Sequence, residues 1–222
     1  VTADLSIIIP TLNAGHCLTA TLAALGDVPD TIVVDGGSTD ATLAIAMTFG
    51  ARIVTAERGR GTQIAAGIAV AAHKWLLLLH ADTCLSPGWR AAAHCSATQA
   101  GYFRFALDSA DHRARRLERM VAWRSRALGL PYGDQGLLIH RDLLRAVGGM
   151  RPLPLMEDVD LARRLGRSRL VPLAADAVTS AVRWETDGYL RRSSRNLLCL
   201  SLWLAGVPPR LIRHIYEWRS RR

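Results

Sequence analysis

The sequence predicts an α/β chain with a mostly parallel central sheet flanked by helices. Three observations predict it. Apolar runs of strand length alternate with helix-patterned stretches through the first hundred residues. Two of those runs, 31–35 and 75–80, stop at a polar cluster carrying an acid, Asp35 and then His80-Ala81-Asp82-Thr83. The 222 residues suffice for one sizeable core.

Taken in order, 5–10 reads as a strand and 14–25 as a helix, through Leu18, Leu22 and Leu25. Residues 31–35 form a strand, and 40–49 a helix capped by Asp40 or Thr39 and ended by Gly50. A strand at 52–55, an Ala-rich helix at 61–73 and a strand at 75–80 follow. Pro87 suits the first turn of a helix over 88–98. The second half is less regular. It offers a strand at 102–107, an Arg-rich helix at 111–128, a loop at 132–136, a strand at 137–140 and a short helix at 141–147. A Pro-rich loop leads to a helix at 157–165, then strands at 169–173 and 177–184, and helices at 189–205 and 209–218 split by Gly206 and Pro208-Pro209. No domain boundary stands out. A nucleotide-binding half (1–100) and an acceptor half (101–222) sharing one sheet is the economical organisation of a single domain.

Charge is unevenly spread. Residues 1–100 hold five Lys/Arg and seven Asp/Glu, whereas 101–222 hold 23 and 12, giving the chain its net +9. The second half is therefore expected to face something anionic, either a phosphorylated acceptor or a membrane surface. No nucleic-acid motif accompanies the charge, so nucleic acid is not an expected partner. Cys17, Cys84, Cys95 and Cys199 are scattered without a C-x-x-C pair, which disfavours a metal cluster and favours a reducing, cytoplasmic setting. The start, Val1-Thr2-Ala3-Asp4-Leu5, shows no signal peptide. The run 197–205 is too short to span a bilayer and suits a core helix or, among its arginines, a membrane interface.

Chemistry concentrates where strands end, the place where open α/β sheets bind ligands. Pro10-Thr11-Leu12-Asn13 follows the first strand, and Thr11 and Asn13 can hydrogen-bond a base or ribose. Asp35 precedes Gly36-Gly37, which let a ligand approach the backbone. A turn and a helix cap account for Ser38, Thr39 and Asp40 but not for Asp35. Arg58, Arg60 and Gln63 border a helix N-terminus and make an anion site or a solvated basic loop. His80 and Asp82 alternate on a strand end and can address one hard cation beside Ala81. Glu157, Asp158 and Asp160 begin a helix, where acids suit the dipole or face a cleft.

In this order, S-I-I-I-P-T-L-N, V-V-D-G-G-S-T-D, L-L-H-A-D-T, G-D-Q-G and M-E-D-V-D resemble the inverting family 2 glycosyltransferases of the GT-A fold. The stretches Tyr132–Gly136, 152–158 and Arg183-Trp184-Glu185 are most similar to a small bacterial branch associated with radical-SAM and selenium-related proteins. The resemblance implies a nucleoside diphosphate sugar donor, UDP- or GDP-linked, and a hydroxyl acceptor, with lipid-linked compounds among the candidates. It implies that Pro10, Thr11, Asn13, Asp35, Arg60, Gln63 and Ala81 bind the nucleotide and that Asp82, with His80, holds Mg²⁺ or Mn²⁺. Asp158 would be the general base, and Asp134, Gln135 and Glu157 would serve the acceptor or donor sugar. The scattered cysteines make a cytoplasmic enzyme the expectation, and the Arg-rich second half with the run 197–205 makes peripheral contact with the inner membrane face a candidate. Three positions depart from the pattern: Gly36 replaces a second acid, His80 replaces the first acid of D-x-D, and Ala14 replaces an acid after Asn13. Two rival readings remain. A nucleotidyltransferase would need a Gly- and Arg-rich loop where Thr11–Gly15 stands. A degenerate glycosyltransferase serving as a nucleotide-sugar-binding or membrane-surface scaffold is motivated by the incomplete D-x-D.

Overall fold

Three apolar side chains in a row, Ile7, Ile8 and Ile9, are fully buried because the first strand lies mid-sheet with helices on both faces. The computed structural model describes residues 4–217; the basic end at Arg219, Arg221 and Arg222, Trp218 and the first three residues lie outside them. Eight strands form one sheet in the order β3-β2-β1-β4-β7-β6-β8-β5. These are β1 (Leu5–Thr11), β2 (Asp30–Asp35), β3 (Arg52–Thr55), β4 (Trp75–Leu78), β5 (Thr83–Leu85), β6 (Ala100–Leu107), β7 (Leu137–His140) and β8 (Leu170–Thr179). The β3-β2-β1-β4 half is parallel, β7 runs antiparallel to β4 and β6, and β6 pairs with β8 in parallel.

Side-chain alternation sorts the core into two layers. Ile7, Ile9, Val33, Leu77 and Leu79 pack under α1 (Gly15–Leu25), α2 (Thr42–Thr48) and α4 (Trp89–Ala92). Ile8, Ile32, Val34, Leu76 and Leu78 pack under α3 (Arg60–Val70), with α6 (Arg141–Ala146) and α7 (Glu157–Leu165). Each fully buried Leu or Ile contributes about 1.5–3 kcal/mol. A Cβ on Gly67 would come within 2.5 Å of Ile8, so α3 rests directly on the sheet and carries Arg60 and Gln63 to the strand ends. The remaining helices, α5 (His112–Leu128), α8 (Val182–Asp187), α9 (Tyr189–Leu204) and α10 (Pro209–Glu217), stack beyond β6 and β8.

Several segments depart from the sequence reading; the helix expected over 61–73 stops at Val70. The helix expected over 88–98 stops at Ala92, because Ser96 turns the chain: its carbonyl accepts from Gln99 N–H at 2.8 Å and its hydroxyl bonds Thr98. The strands expected at 169–173 and 177–184 are one strand, Leu170–Thr179, held through its polar middle by the Arg104–Asp176 pair at 2.7 Å. Residues from Val182 onward are helical instead, with Ala181 N–H bound by the Asp108 carboxylate and Trp184 stacked on Tyr189. The three-residue β5 was too short to show a period.

Candidate active site

The strand order reverses between β1 and β4, and the loops leaving their C-terminal ends frame a groove of about 320 Å³. Pro10, Thr11, Asn13, Arg60, Gln63 and Ala81 line it, beside His80 and Asp82. Much of this wall is fastened internally. Gln63 is buried and donates to the carbonyls of Val34 (2.7 Å) and Thr11 (2.8 Å), tying α3 to β1 and β2. Asn13 adopts φ 51°, which Asn tolerates, and its Oδ1 accepts from Thr39 N–H at 2.9 Å. Its carbonyl oxygen thus shapes the rim.

Asp35 corrects the sequence reading. It lines neither the groove nor the larger cleft beside it. Its carboxylate accepts from Ser38 Oγ (2.5 Å), Ser38 N–H (2.8 Å), Gly37 N–H (2.9 Å) and Thr11 Oγ1 (3.2 Å). Burial opposes its ionisation, but these donors outweigh burial and hold its pKa below the ordinary value. Asp35 therefore organises the loop at 36–38 through internal hydrogen bonds.

The groove opens into a cleft of about 620 Å³, and Arg60, His80, Asp82, His16 and Tyr216 line both. Asp82 and Asp158 share this cleft. Asp158 stands in the first turn of α7, where Oδ1 accepts from Val159 N–H (2.7 Å) and Oδ2 from Gly133 N–H (2.8 Å). Each oxygen keeps a lone pair for another donor. The Gly133 contact depends on a bare Cα, because a Cβ there would collide with the His80 ring. Met156, just before α7, sits at φ 66°, a costly left-handed conformation for a residue with a side chain.

Asp134 also lines the cleft. Burial lifts its pKa to about 6; Arg124 opposes the shift, and the neighbouring charges of Asp158 and Asp82 add to it. Its Oδ1 is buried without a hydrogen-bond partner among the described residues. Glu157 points elsewhere, into a small apolar void behind the cleft. It is buried, and burial raises its pKa against the pull of Arg60, whose Nε lies 2.8 Å away. Neither Glu157 oxygen has hydrogen-bond geometry, so the pair is a charge contact that anchors Arg60. Gln135 is a second correction. Its carboxamide is buried between Ser125 Oγ (2.9 Å) and the Phe103 carbonyl (3.1 Å), because Gly136 turns the chain back into β7. It braces the loop and does not line the cleft.

The donor set fits a hard divalent cation. Asp82 would supply carboxylate oxygen, and His80 and Asp134 line the same cleft. Among the described residues no three His, Cys, Asp or Glu side chains form a metal site by themselves, and Mg²⁺ or Mn²⁺ sites of one or two carboxylates are completed by phosphate oxygens. All four cysteines are free thiols.

Sequence reasoning missed the far wall. Trp184, Arg192 and Asn196 line the cleft but not the groove. The signal was the i, i+4 spacing of Arg192 and Asn196 in a Leu-rich helix. Tyr132, under the Arg124 guanidinium at 3.4 Å, belongs to the same cleft.

Residues 6–108 match the profile of Glycosyl transferase family 2. The PGL/p-HBAD biosynthesis glycosyltransferase of Mycobacterium bovis (strain BCG / Pasteur 1173P2) is 40% identical over 92 residues, 36% of this chain and 36% of the relative. The protein of that name from Mycobacterium tuberculosis (strain ATCC 25177 / H37Ra) matches to the same extent. The match thus spans about a third of the curated relatives' length. Among solved structures, S. aureus TarS 1-349 in complex with UDP superposes with a TM-score of 0.59 at 18% identity, over 80% of this chain and 61% of that one. Glucosyl-3-phosphoglycerate synthase from Mycobacterium tuberculosis with Mn²⁺ and UDP-glucose gives 0.56 at 18% identity, over 80% and 69%. At that identity these likenesses speak for the fold, a single α/β domain of the GT-A arrangement.

Proposed function

We propose that this chain is a glycosyltransferase that moves a sugar from a nucleoside diphosphate sugar to an acceptor hydroxyl with inversion. One observation carries the reading: a single cleft has Asp82 and Asp158 in its walls and opens into the groove lined by Pro10, Thr11, Asn13, Arg60, Gln63 and Ala81. The match of residues 6–108 to a glycosyl transferase family supports it. The donor is UDP- or GDP-linked, and the UDP-bound neighbours favour UDP. Residues 1–100 hold the nucleotide and 101–222 the acceptor.

The base lies on the rim shaped by Asn13 and the Asp35-organised loop. Arg60, fixed by Glu157, faces the diphosphate. Asp82 and His80 would hold Mg²⁺ or Mn²⁺ there, and the cation, when bound, offsets the negative charge of the departing diphosphate. The acceptor oxygen attacks the anomeric carbon, its proton passes to Asp158, and the bond to the diphosphate oxygen breaks with its electron pair leaving on the nucleoside diphosphate. A general base of this kind contributes about 10²–10⁴ in rate. The two backbone N–H donors on Asp158 aim it without using all its lone pairs. Asp134, partly protonated near pH 6, is suited to hold a sugar hydroxyl.

Among the described residues no helix is long and apolar enough to cross a membrane. We place the enzyme in the cytoplasm, peripheral on the inner membrane face, because Leu190, Leu197 and Leu204 recur every seven residues as exposed side chains on α9 in the basic half. The test is nucleoside diphosphate release from a panel of UDP- and GDP-sugars with Mn²⁺, with the product anomer read by NMR. An inverted product supports the reading. Tight donor binding without turnover on any acceptor would favour the scaffold alternative.

A further inference from the structure

The far wall of the cleft carries Arg192 and Asn196, neither of which lines the groove between β1 and β4. On α9, Arg192 and Asn196 stand one turn apart and both line the cleft. Arg192 Nη1 and Arg195 Nη2 converge on a single oxygen, Asp187 Oδ2, at 3.1 and 3.3 Å. Two guanidiniums, only 13% and 19% exposed, thus share one carboxylate that is itself 38% exposed. Among the described ion pairs, Asp187 alone is set against the two guanidiniums, so this pair of arginines has one carboxylate between them in a poorly solvated place, where a second anionic partner is favoured. The Nε–H groups of both arginines lack acceptors among the described residues, and so does Asn196 Oδ1 a donor. Arg192 is held in place by its stack on Trp184, 5.0 Å from the ring centroid, so its fork is already oriented. The other acid on this part of the wall, Asp108, is engaged by Ala181 N–H.

We propose that this is the anion subsite of the acceptor: the acceptor is a hydroxylated compound bearing a phosphate or carboxylate, which Arg192 binds while Asn196 Oδ1 accepts from a neighbouring hydroxyl. The proposal rests on the transferase reading above and names the acceptor's chemistry. Arg192 anchors the negative group at the end of the cleft away from the nucleotide groove. The hydroxyl to be glycosylated then lies toward Asp158. Asp187 is a built-in competitor, since it occupies the donors that the ligand needs.

The test loads the protein with saturating UDP and Mn²⁺, so that the diphosphate site is filled, and titrates glycerol phosphate and inorganic phosphate by calorimetry. A polyprenyl phosphate in detergent micelles forms a second arm, which separates a lipid headgroup from a free phosphate ester. Arg192→Gln should weaken anion binding about tenfold or more, the scale of a lost charge-assisted hydrogen bond. Asp187→Asn should tighten it about threefold by freeing both guanidiniums, an effect that a purely structural role for the cluster would not produce. UDP affinity should stay within about twofold in both variants, since neither residue lines the nucleotide groove. Equal anion affinity in wild type, Arg192→Gln and Asp187→Asn overturns the subsite, as does the absence of anion binding in both arms by protein that holds UDP. The loading step uses whichever of UDP and GDP the protein binds, and failure of the wild type to bind either overturns the transferase reading, and the subsite with it.

Discussion

Replacing Asp134 by asparagine should make the protein more stable at pH 8 and less active. Burial raises the Asp134 pKa from 3.8 to about 6, so the folded state binds this proton more tightly than the unfolded chain does. Stability from the group is fully present below pH 3.8 and is lost as pH rises through 6. At about 1.4 kcal/mol per pKa unit the loss above pH 6 is about 3 kcal/mol as an upper bound. The side chain is only half-buried in an open cleft, and solvent screening reduces this to about 1–2 kcal/mol. Asn keeps the shape and never ionises, so it escapes the loss. For a chain of this length, about 2–4 °C accompanies each kcal/mol, which predicts a melting point raised by about 2–8 °C at pH 8. At pH 5 the gain should be about half as large. Thermal melts of both proteins at pH 5 and 8, beside turnover, measure it. A variant less stable at pH 8, or a gain that ignores pH, would refute the argument.

Three further outcomes follow from the same geometry. Gln135→Leu should cost about 1–3 kcal/mol in urea denaturation, because it strands the buried Phe103 carbonyl, while UDP affinity stays near wild type. Gly133→Ala should lower turnover roughly 10²-fold, since its Cβ would push the His80 ring or the loop whose N–H orients Asp158; steady-state kinetics read it. The protein should pellet with anionic vesicles at low ionic strength and be released at high salt; absence from the low-salt pellet rejects the surface assignment.

The parallel half of the sheet was legible because its strands are buried on both faces and its helices show clean stops. The bounds of β3, β7 and α7 agree with the sequence reading. The pattern Val182-Arg183-Trp184 reads as a strand by composition, yet the Trp184–Tyr189 stack and the Asp108 contact fold it into a helix; both partners are remote or tertiary. Of the acids, Asp82 and Asp158, singled out by their place at element ends, both line the cleft. Asp35 was singled out too, but its surroundings could not be read, since three donors from a folded loop and one from Thr11 of β1 engage its oxygens. Gln135 and Glu157 do not line the cleft, because adjacency to a cleft residue says nothing about which way a side chain turns. The i, i+4 spacing of Arg192 and Asn196 was readable, but their place in the cleft was not, because only packing brings α9 against it.

The most direct measurement pairs donor affinity with turnover for Asp82→Asn and Asp158→Asn. With Mn²⁺ present, Asp82→Asn should lose UDP-sugar affinity about tenfold or more, as one charged ligand of the cation is removed. Asp158→Asn should keep donor affinity within about twofold and lose 10²–10⁴ in turnover. Near-normal turnover by Asp158→Asn, or the same phenotype from both variants, would contradict the division of labour across the cleft.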